Sequence, residues 1–273
     1  MIFKRGNLTR FGLLIAGLFI LALSIVYSAG STAPEGPDSI NVLNSSRQNP
    51  SSGPVTVQAE AGNVTSLRIM NERATEAWQG YFGNITGNIT LEDVNDNLFY
   101  SWQIANPTGE VYAANFTTTD WTDVYCINVS QNGTGADGGA LLRPDGKYSS
   151  INGSQIELSY GINVSDLDGL NETFNSTWAG SFRTGAITFD STDGCSRANL
   201  YSAGAGGYAD NGIWDEVILS DNDTLIFTSI IENSQASYKA SSEGADFQML
   251  VLENGHVGSE STTTPYYFYV ELA

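Results

Sequence analysis

From Pro54 onward the chain is written in short runs in which apolar and polar side chains alternate: VTVQAE, TSLRIM, AWQGYFG, NITGNITL, NLFYSWQI, GEVYAA, QIELSY, SFRTGAITF, ANLYSAG, EVILS, TLIFTSII, DFQMLVL and YYFYVEL. Alternation sends successive side chains to opposite faces of an extended chain, and no long stretch of helical period competes with it. The pattern predicts an all-β domain over residues 54–273, with a β-sandwich-like architecture. Glu92 to Asn97 and Asp221-Asn222-Asp223 are turn clusters between such runs and predict two hairpins, and Arg143-Pro144-Asp145-Gly146 is a third turn. Between Cys126 and Cys195 the pattern loosens into Gly- and Asn-rich insertions, in which LDGLNETFN predicts a short helix. An immunoglobulin topology is not indicated, because Trp178 lies 52 residues after Cys126 and Asp193, not Tyr, stands two residues before Cys195.

The amino end departs from this pattern. Phe11 to Tyr27 is an unbroken apolar run preceded by Lys4, Arg5 and Arg10. As a helix it would be about 25 Å long, which fits a signal peptide or a membrane anchor over residues 1–30 with everything downstream exported. Ser28-Ala29-Gly30 supplies small residues for signal-peptidase cleavage. Lys4-Arg5-Gly6 before the apolar run also resembles a type IV pilin leader, against which Arg10 would set a charge inside packed helices. Residues 31–53, rich in Pro, Ser and Asn, predict a flexible tether.

Cleavage of the leader would leave 8 Lys+Arg against 30 Asp+Glu, a net −22 on the exported part. Nucleic acid and anionic lipid are poor partners for such a surface, so membrane contact is expected only through residues 11–27. The two cysteines, Cys126 and Cys195, are expected to pair as a disulfide in an oxidising extracellular setting.

Thirteen of the 23 Asn residues begin an Asn-X-Ser/Thr triplet, where about four would be expected by chance. Asn7 lies on the inner side of the leader; the candidate N-glycosylation sites are Asn44, Asn63, Asn84, Asn88, Asn115, Asn128, Asn132, Asn152, Asn163, Asn171, Asn175 and Asn222. In NITGNITL the alternation places Asn84, Thr86, Asn88 and Thr90 on one side and Ile85, Ile89 and Leu91 on the other, which predicts sugars outward and methyl groups inward.

Trp78-Gln79-Gly80-Tyr81-Phe82-Gly83-Asn84, Asn88-Ile89-Thr90-Leu91, Gly109-Glu110-Val111-Tyr112-Ala113, Asp246-Phe247-Gln248-Met249-Leu250-Val251 and Tyr266-Tyr267-Phe268-Tyr269-Val270-Glu271-Leu272 together resemble an uncharacterised family of exported archaeal cell-surface glycoproteins, over roughly residues 54–273. The resemblance implies a cell-surface or extracellular protein and carries over no active site.

Little in the sequence argues for catalysis. His256 is the one histidine, and the acid pairs Asp120/Asp123, Asp190/Asp193 and Asp215/Glu216 are what thirty acids make unavoidable. No cofactor is expected, with calcium as the one candidate ligand: Asp166, Asp168, Asn171 and Glu172 alternate around Gly169, and Asp93-Val94-Asn95-Asp96-Asn97 has part of a calcium-loop spacing. Trp78, Tyr81, Phe82, Phe99, Tyr100, Trp102, Trp121, Trp178 and Trp214 are expected mostly in the core, with a sugar-stacking platform as the alternative. The closing strand, with Tyr266, Phe268, Val270 and Leu272 on one apolar face, is expected to close the parent sheet, addition to a neighbour's edge being the alternative, and the tether segment Ser39-Ile40-Asn41-Val42-Leu43 could donate a strand to the next subunit. The expectation is a non-enzymatic structural or adhesive surface glycoprotein, possible partners being its own copies or envelope glycans. The alternatives are an extracellular carbohydrate-binding module or glycoside hydrolase, and a pilin-like subunit.

Overall fold

The computed structural model describes residues 33–47, 54, 56–69, 74–132, 140–142, 148–162, 166–200, 214–238, 244–253 and 263–273. The apolar run 11–27 and Asn163 lie outside the described residues, as does His256. Among the described residues no helix is long and apolar enough to cross a membrane.

The fold is all-β. In chain order the strands are β1 (Trp78–Gly83), β2 (Asn88–Glu92), β3 (Leu98–Gln103), β4 (Gly109–Ala114), β5 (Tyr125–Cys126), β6 (Asn128–Asn132), β7 (Ala140–Leu142), β8 (Tyr148–Asn152), β9 (Ser176–Thr177), β10 (Phe182–Thr184), β11 (Ile187–Phe189), β12 (Ser196–Asn199), β13 (Asp215–Ser220), β14 (Leu225–Ile230), β15 (Gln235–Ala236), β16 (Gly244–Ala245), β17 (Phe247–Leu252) and β18 (Tyr267–Leu272). Two short helices, α1 (Gly153–Ser159) and α2 (Leu170–Thr173), fall in the insertion region.

A seven-stranded antiparallel sheet in the order β18-β4-β14-β13-β12-β9 carries the core, with β5 paired to β13 beside that path. Its middle strands DEVILS and LIFTSI are buried almost throughout, as continuous apolar runs require when both faces are covered. On one face Val111, Ala113, Ile218, Leu225 and Phe227 pack against Met249 and Val251 of β17, Trp78 of β1 and Phe174 after α2. The other face presents Tyr112, Ala114, Val217, Leu219 and Ile226 to Trp178, Phe182, Phe189 and the disulfide. β1 pairs with β17, some 170 positions away in the chain, in register from Trp78↔Leu252 to Gly83↔Phe247. The Ser229 hydroxyl donates to the Gln248 carbonyl oxygen at 2.8 Å and ties this ladder to β14.

Cys126 and Cys195 are joined, as their exclusive presence predicts. The bond does more than fasten insertions. β12 and β5 lie end to end along one edge of β13, through Arg197↔Val217 and Cys126↔Leu219. The disulfide covalently links the end of β5 to the residue before β12, and the Ser196 N–H donates to the Ile127 carbonyl oxygen across the same junction.

Three sequence expectations are corrected. VTVQAE and TSLRIM make no ladder among the described residues, and Val57, Val64, Leu67 and Ile69 are exposed; the paired domain begins at Trp78. QIELSY is helical, because Asn152 caps α1 by accepting the Gln155 N–H at 3.0 Å and Ile156 and Tyr160, four residues apart, share its inner face. SFRTGAITF is not one strand but a hairpin, β10–β11, folded at Gly185 with φ +58°. The predicted hairpins β2–β3 and β13–β14 form, and α2 occupies the predicted helical stretch.

Candidate functional site

Two features stand out, one buried and one exposed. The buried one is the acid Glu110 with its half-buried neighbour Glu271. Glu110 of β4 and Glu271 of β18 stand directly opposite each other in the ladder, on the face covered by β10. The Arg183 N–H donates to Glu110 Oε1 at 3.3 Å and the Gly185 N–H donates to Glu271 Oε2 at 2.7 Å. The Tyr112 hydroxyl lies 3.2 Å from Thr184 Oγ1 and 3.4 Å from Glu271 Oε2. Burial pushes the Glu110 carboxyl up to about 7, opposed by the Arg183 N–H and reinforced by the neighbouring charge of Glu271. The same burial raises the Tyr112 phenol.

These acids do not face each other across a cleft. They are roofed by the β10–β11 turn, whose main-chain N–H groups they accept, and Ala33 and Pro34 pass beside Gly185 above them. Chemically, the pair anchors the β10–β11 hairpin to the sheet edge. Sequence reading passed over both acids; the available signal was parity, since Glu110 and Glu271 share a face with Tyr112 and Tyr269 inside otherwise apolar strands.

A second buried acid, Glu216, lies on the opposite face and accepts the Leu250 N–H at 2.8 Å. Complete burial raises its pKa well above the ordinary value, with the Leu250 N–H pulling the other way. Its strand neighbour Asp215 pairs with Arg197 at 3.0 Å, so this acid pair splits into two separate structural roles. Asp120 and Asp190 each accept the N–H and hydroxyl of the Thr two residues on, which lowers their pKa values and closes local turns.

The exposed feature is the β2–β3 hairpin, which is exposed along both strands. Cross-strand pairs Ile89↔Trp102 and Leu91↔Tyr100 gather four apolar side chains on one face, while Asn88↔Gln103 and Thr90↔Ser101 make the other face polar. Alternation therefore holds, but the methyl groups point to solvent: Ile89 is 60% and Leu91 51% exposed. The expected core placement fails for Phe99, Tyr100 and Trp102, since no strand among the described residues covers this hairpin. Tyr100 and Trp102 are 4.0 Å apart and tilted by 49°, so the two rings do not make a flat sugar platform. The remaining aromatics behave differently. Trp178 and Trp214 are buried, Trp78 and Trp121 pack against the two halves of the core and Phe82 meets Tyr238, whereas Tyr81, which meets Phe268 edge-on at 5.2 Å, is itself exposed and not in the core as expected.

The candidate calcium ligands are engaged with the fold. Asp168 Oδ2 accepts the Thr75 hydroxyl and the Asp168 carbonyl oxygen accepts the Trp78 indole N–H, both at 2.6 Å, tying the approach to β1 onto the α2 loop. Glu172 and Glu157 crowd Gly169, and Glu157 Oε1 accepts the Leu170 N–H at the start of α2. Among the described residues no three His, Cys, Asp or Glu side chains, those of Asp166, Asp168 and Glu172 included, are grouped to hold a metal ion. In the Asp93–Asn97 loop the Asp93 carboxylate accepts from Asn95 N, Asn97 N and Asn97 Nδ2, which lowers its pKa and closes the hairpin turn with Asp96 at φ +62°.

None of the ten candidate glycosylation sites with described side chains is buried. Asn44, Asn63, Asn84, Asn88 and Asn175 are exposed, whereas Asn115, Asn128, Asn152, Asn171 and Asn222 are half-buried. Asn115 Oδ1 accepts the Thr224 hydroxyl and Asn222 Oδ1 accepts the Tyr125 hydroxyl, so both amides also serve the fold. Asn132 lies in β6.

No family model, curated protein or solved structure matches the chain.

Proposed function

We propose that this chain is a non-enzymatic, N-glycosylated structural or adhesive subunit of the cell exterior that works in contact with other subunits. The observation that carries the reading is the β2–β3 hairpin, whose face of Ile89, Leu91, Tyr100 and Trp102 is left open to solvent. Contiguous apolar patches larger than about a few hundred Å² are uncommon on monomers and mark contact sites. The acceptor Asn88 sits on the other, polar face, so a glycan there would keep the apolar face clear.

Three further points agree with this. The Cys126–Cys195 bond is compatible with an extracellular location. The Phe11–Tyr27 run reads as an export leader or anchor, and the WQGYFGN, DFQMLV and YYFYVEL stretches resemble exported archaeal surface glycoproteins. Of the candidate glycosidase acids, Asp120, Asp190 and Asp193 close turns, Asp215 holds an ion pair and Glu216 is a buried acceptor. We read the β1–β17 ladder over the seven-stranded sheet as the two layers of a sandwich-like domain.

The test is electron microscopy of the protein released from cell envelopes, with intact-mass measurement on the same sample. Filaments, arrays or discrete oligomers with mass in excess of the polypeptide support the reading. Monodisperse monomers of bare polypeptide mass refute it, and selective retention of such monomers on a glycan array would favour the carbohydrate-binding alternative.

A further inference from the structure

We propose that the open edge of β18 receives the Ser39–Leu43 segment of a second copy of this chain as an added antiparallel strand. This rests on the subunit reading above and names its partner and its joint.

The argument begins at the sheet edge. β18 is an outer strand of the central sheet, paired on one side with β4 from Tyr267↔Ala114 to Leu272↔Gly109. On the other side the described residues give it a single bridge, Glu35↔Val270, with N–H···O distances of 3.1 and 2.8 Å. Hydrogen bonding alternates along a strand, so the N–H and C=O groups of Phe268 and Leu272 point to the same side as those of Val270. The edge thus already accepts antiparallel main chain, and accepts it from this protein's own tether.

The tether cannot extend that bridge toward Phe268. In the register of Glu35↔Val270, the next bonded pair would set Pro37 opposite Phe268, and proline has no N–H to donate. The chain then bends at Asp38. Ser39 would fall opposite Tyr266, outside β18, so Ser39–Leu43 overshoots its own edge.

Ser39-Ile40-Asn41-Val42-Leu43 is nevertheless written as a strand, proline-free and alternating. Its apolar side chains are unburied, Ile40 at 58% and Val42 at 83% exposure. The β18 edge offers what they lack: Phe268, Val270 and Leu272 form a half-buried apolar row beside Tyr81. Supplied by a second copy, the segment can slide along the edge, set Ile40 and Val42 directly opposite two residues of that row, and replace one bonded pair with two. The contact is head-to-tail, since donor and acceptor are different surfaces, and such contacts build open chains or rings.

Two variants separate donor from acceptor. Ile40→Pro disables the donor in an exposed stretch of tether, and Phe268→Pro removes an N–H that faces the open edge, not β4. Sedimentation velocity on the full chain is expected to show extended species for wild type and loss of those extended species for each variant alone. Mixed one to one, the variants are expected to form dimers and nothing longer. Titrated into wild type, Ile40→Pro should cap growing chains and shorten them, a readout that stands even if Phe268→Pro fails to fold. Assembly of Ile40→Pro like wild type overturns the proposal, as does a mixture of two folded variants that stays monomeric. If Ile40→Pro assembles while Tyr100→Ser with Trp102→Ser does not, strand addition is wrong and the subunit reading stands; a wild type that is monomeric throughout overturns both.

Discussion

Replacing Glu110 by Gln isolates the consequence of burying an acid between β4 and β10. The folded protein holds a proton on Glu110 up to about pH 7, whereas an unfolded chain releases it near the ordinary value of 4.5. A pKa raised on folding means that the native state binds more protons, so stability from this group is complete below pH 4.5 and is lost as pH rises through 7. The gap between the two values corresponds to roughly 3 kcal/mol. The substituted amide is neutral throughout and keeps an oxygen for the Arg183 N–H, so the variant lacks this loss. The two proteins should melt together at pH 4.5, and Glu110→Gln should melt about 6–12 °C higher at pH 8. The general repulsion among surface acids acts almost equally on both, and it cancels in the difference between their melting curves. Glu271→Gln, which removes the neighbouring charge, should move the wild-type transition to lower pH. A melting difference that stays constant from pH 4.5 to 8 would refute the assignment.

Other outcomes follow from the same geometry. Glu216→Gln keeps an acceptor for the Leu250 N–H and, because the buried acid's pKa is raised, should be at least as stable as wild type at pH 8; Glu216→Ala should lose about 1–3 kcal/mol in urea denaturation, and equal losses in the two would contradict this account. Replacing Cys126 and Cys195 by Ser together frees a sequence separation of 69 residues and should cost about 4 kcal/mol, read as a lower melting temperature in oxidising buffer. Gly109→Ala should cost roughly 1–3 kcal/mol, because φ is +122° and a Cβ would meet the Glu271 carbonyl oxygen; an unchanged urea midpoint would argue against that strain. Tyr100→Ser with Trp102→Ser should leave the melting temperature of the monomer within about 2 °C while weakening self-association measured by sedimentation.

Local order was legible in the sequence. GEVYAA, DFQMLVL and YYFYVEL became β4, β17 and β18, and Asp221-Asn222-Asp223 turned the chain between β13 and β14. Position in space was not. Nothing in NLFYSWQI distinguishes a strand roofed by a second sheet from one left in solvent, and Trp102 looks the same in either setting. Pairings such as Trp78↔Leu252 depend on contacts that no local pattern encodes. QIELSY misled because its apolar residues satisfy both periods over so short a run, and the cap at Asn152 decided for helix. Glu110 and Glu271 escaped notice because their meaning comes from standing opposite one another and under residues 183–185.

The placement of the disulfide also governs how the domain would bear mechanical load. A pull transmitted through the tether reaches the Glu35–Val270 bridge, the one such bridge among the described residues, a contact that can yield and re-form without disturbing β4 or β14. Deeper extension meets a covalent shortcut: the 69 positions between Cys126 and Cys195 cannot be drawn out while the bond is intact, which removes roughly 230–250 Å of extensible contour. Under shear the middle of the chain stays compact, and only the segments outside the cysteines can lengthen.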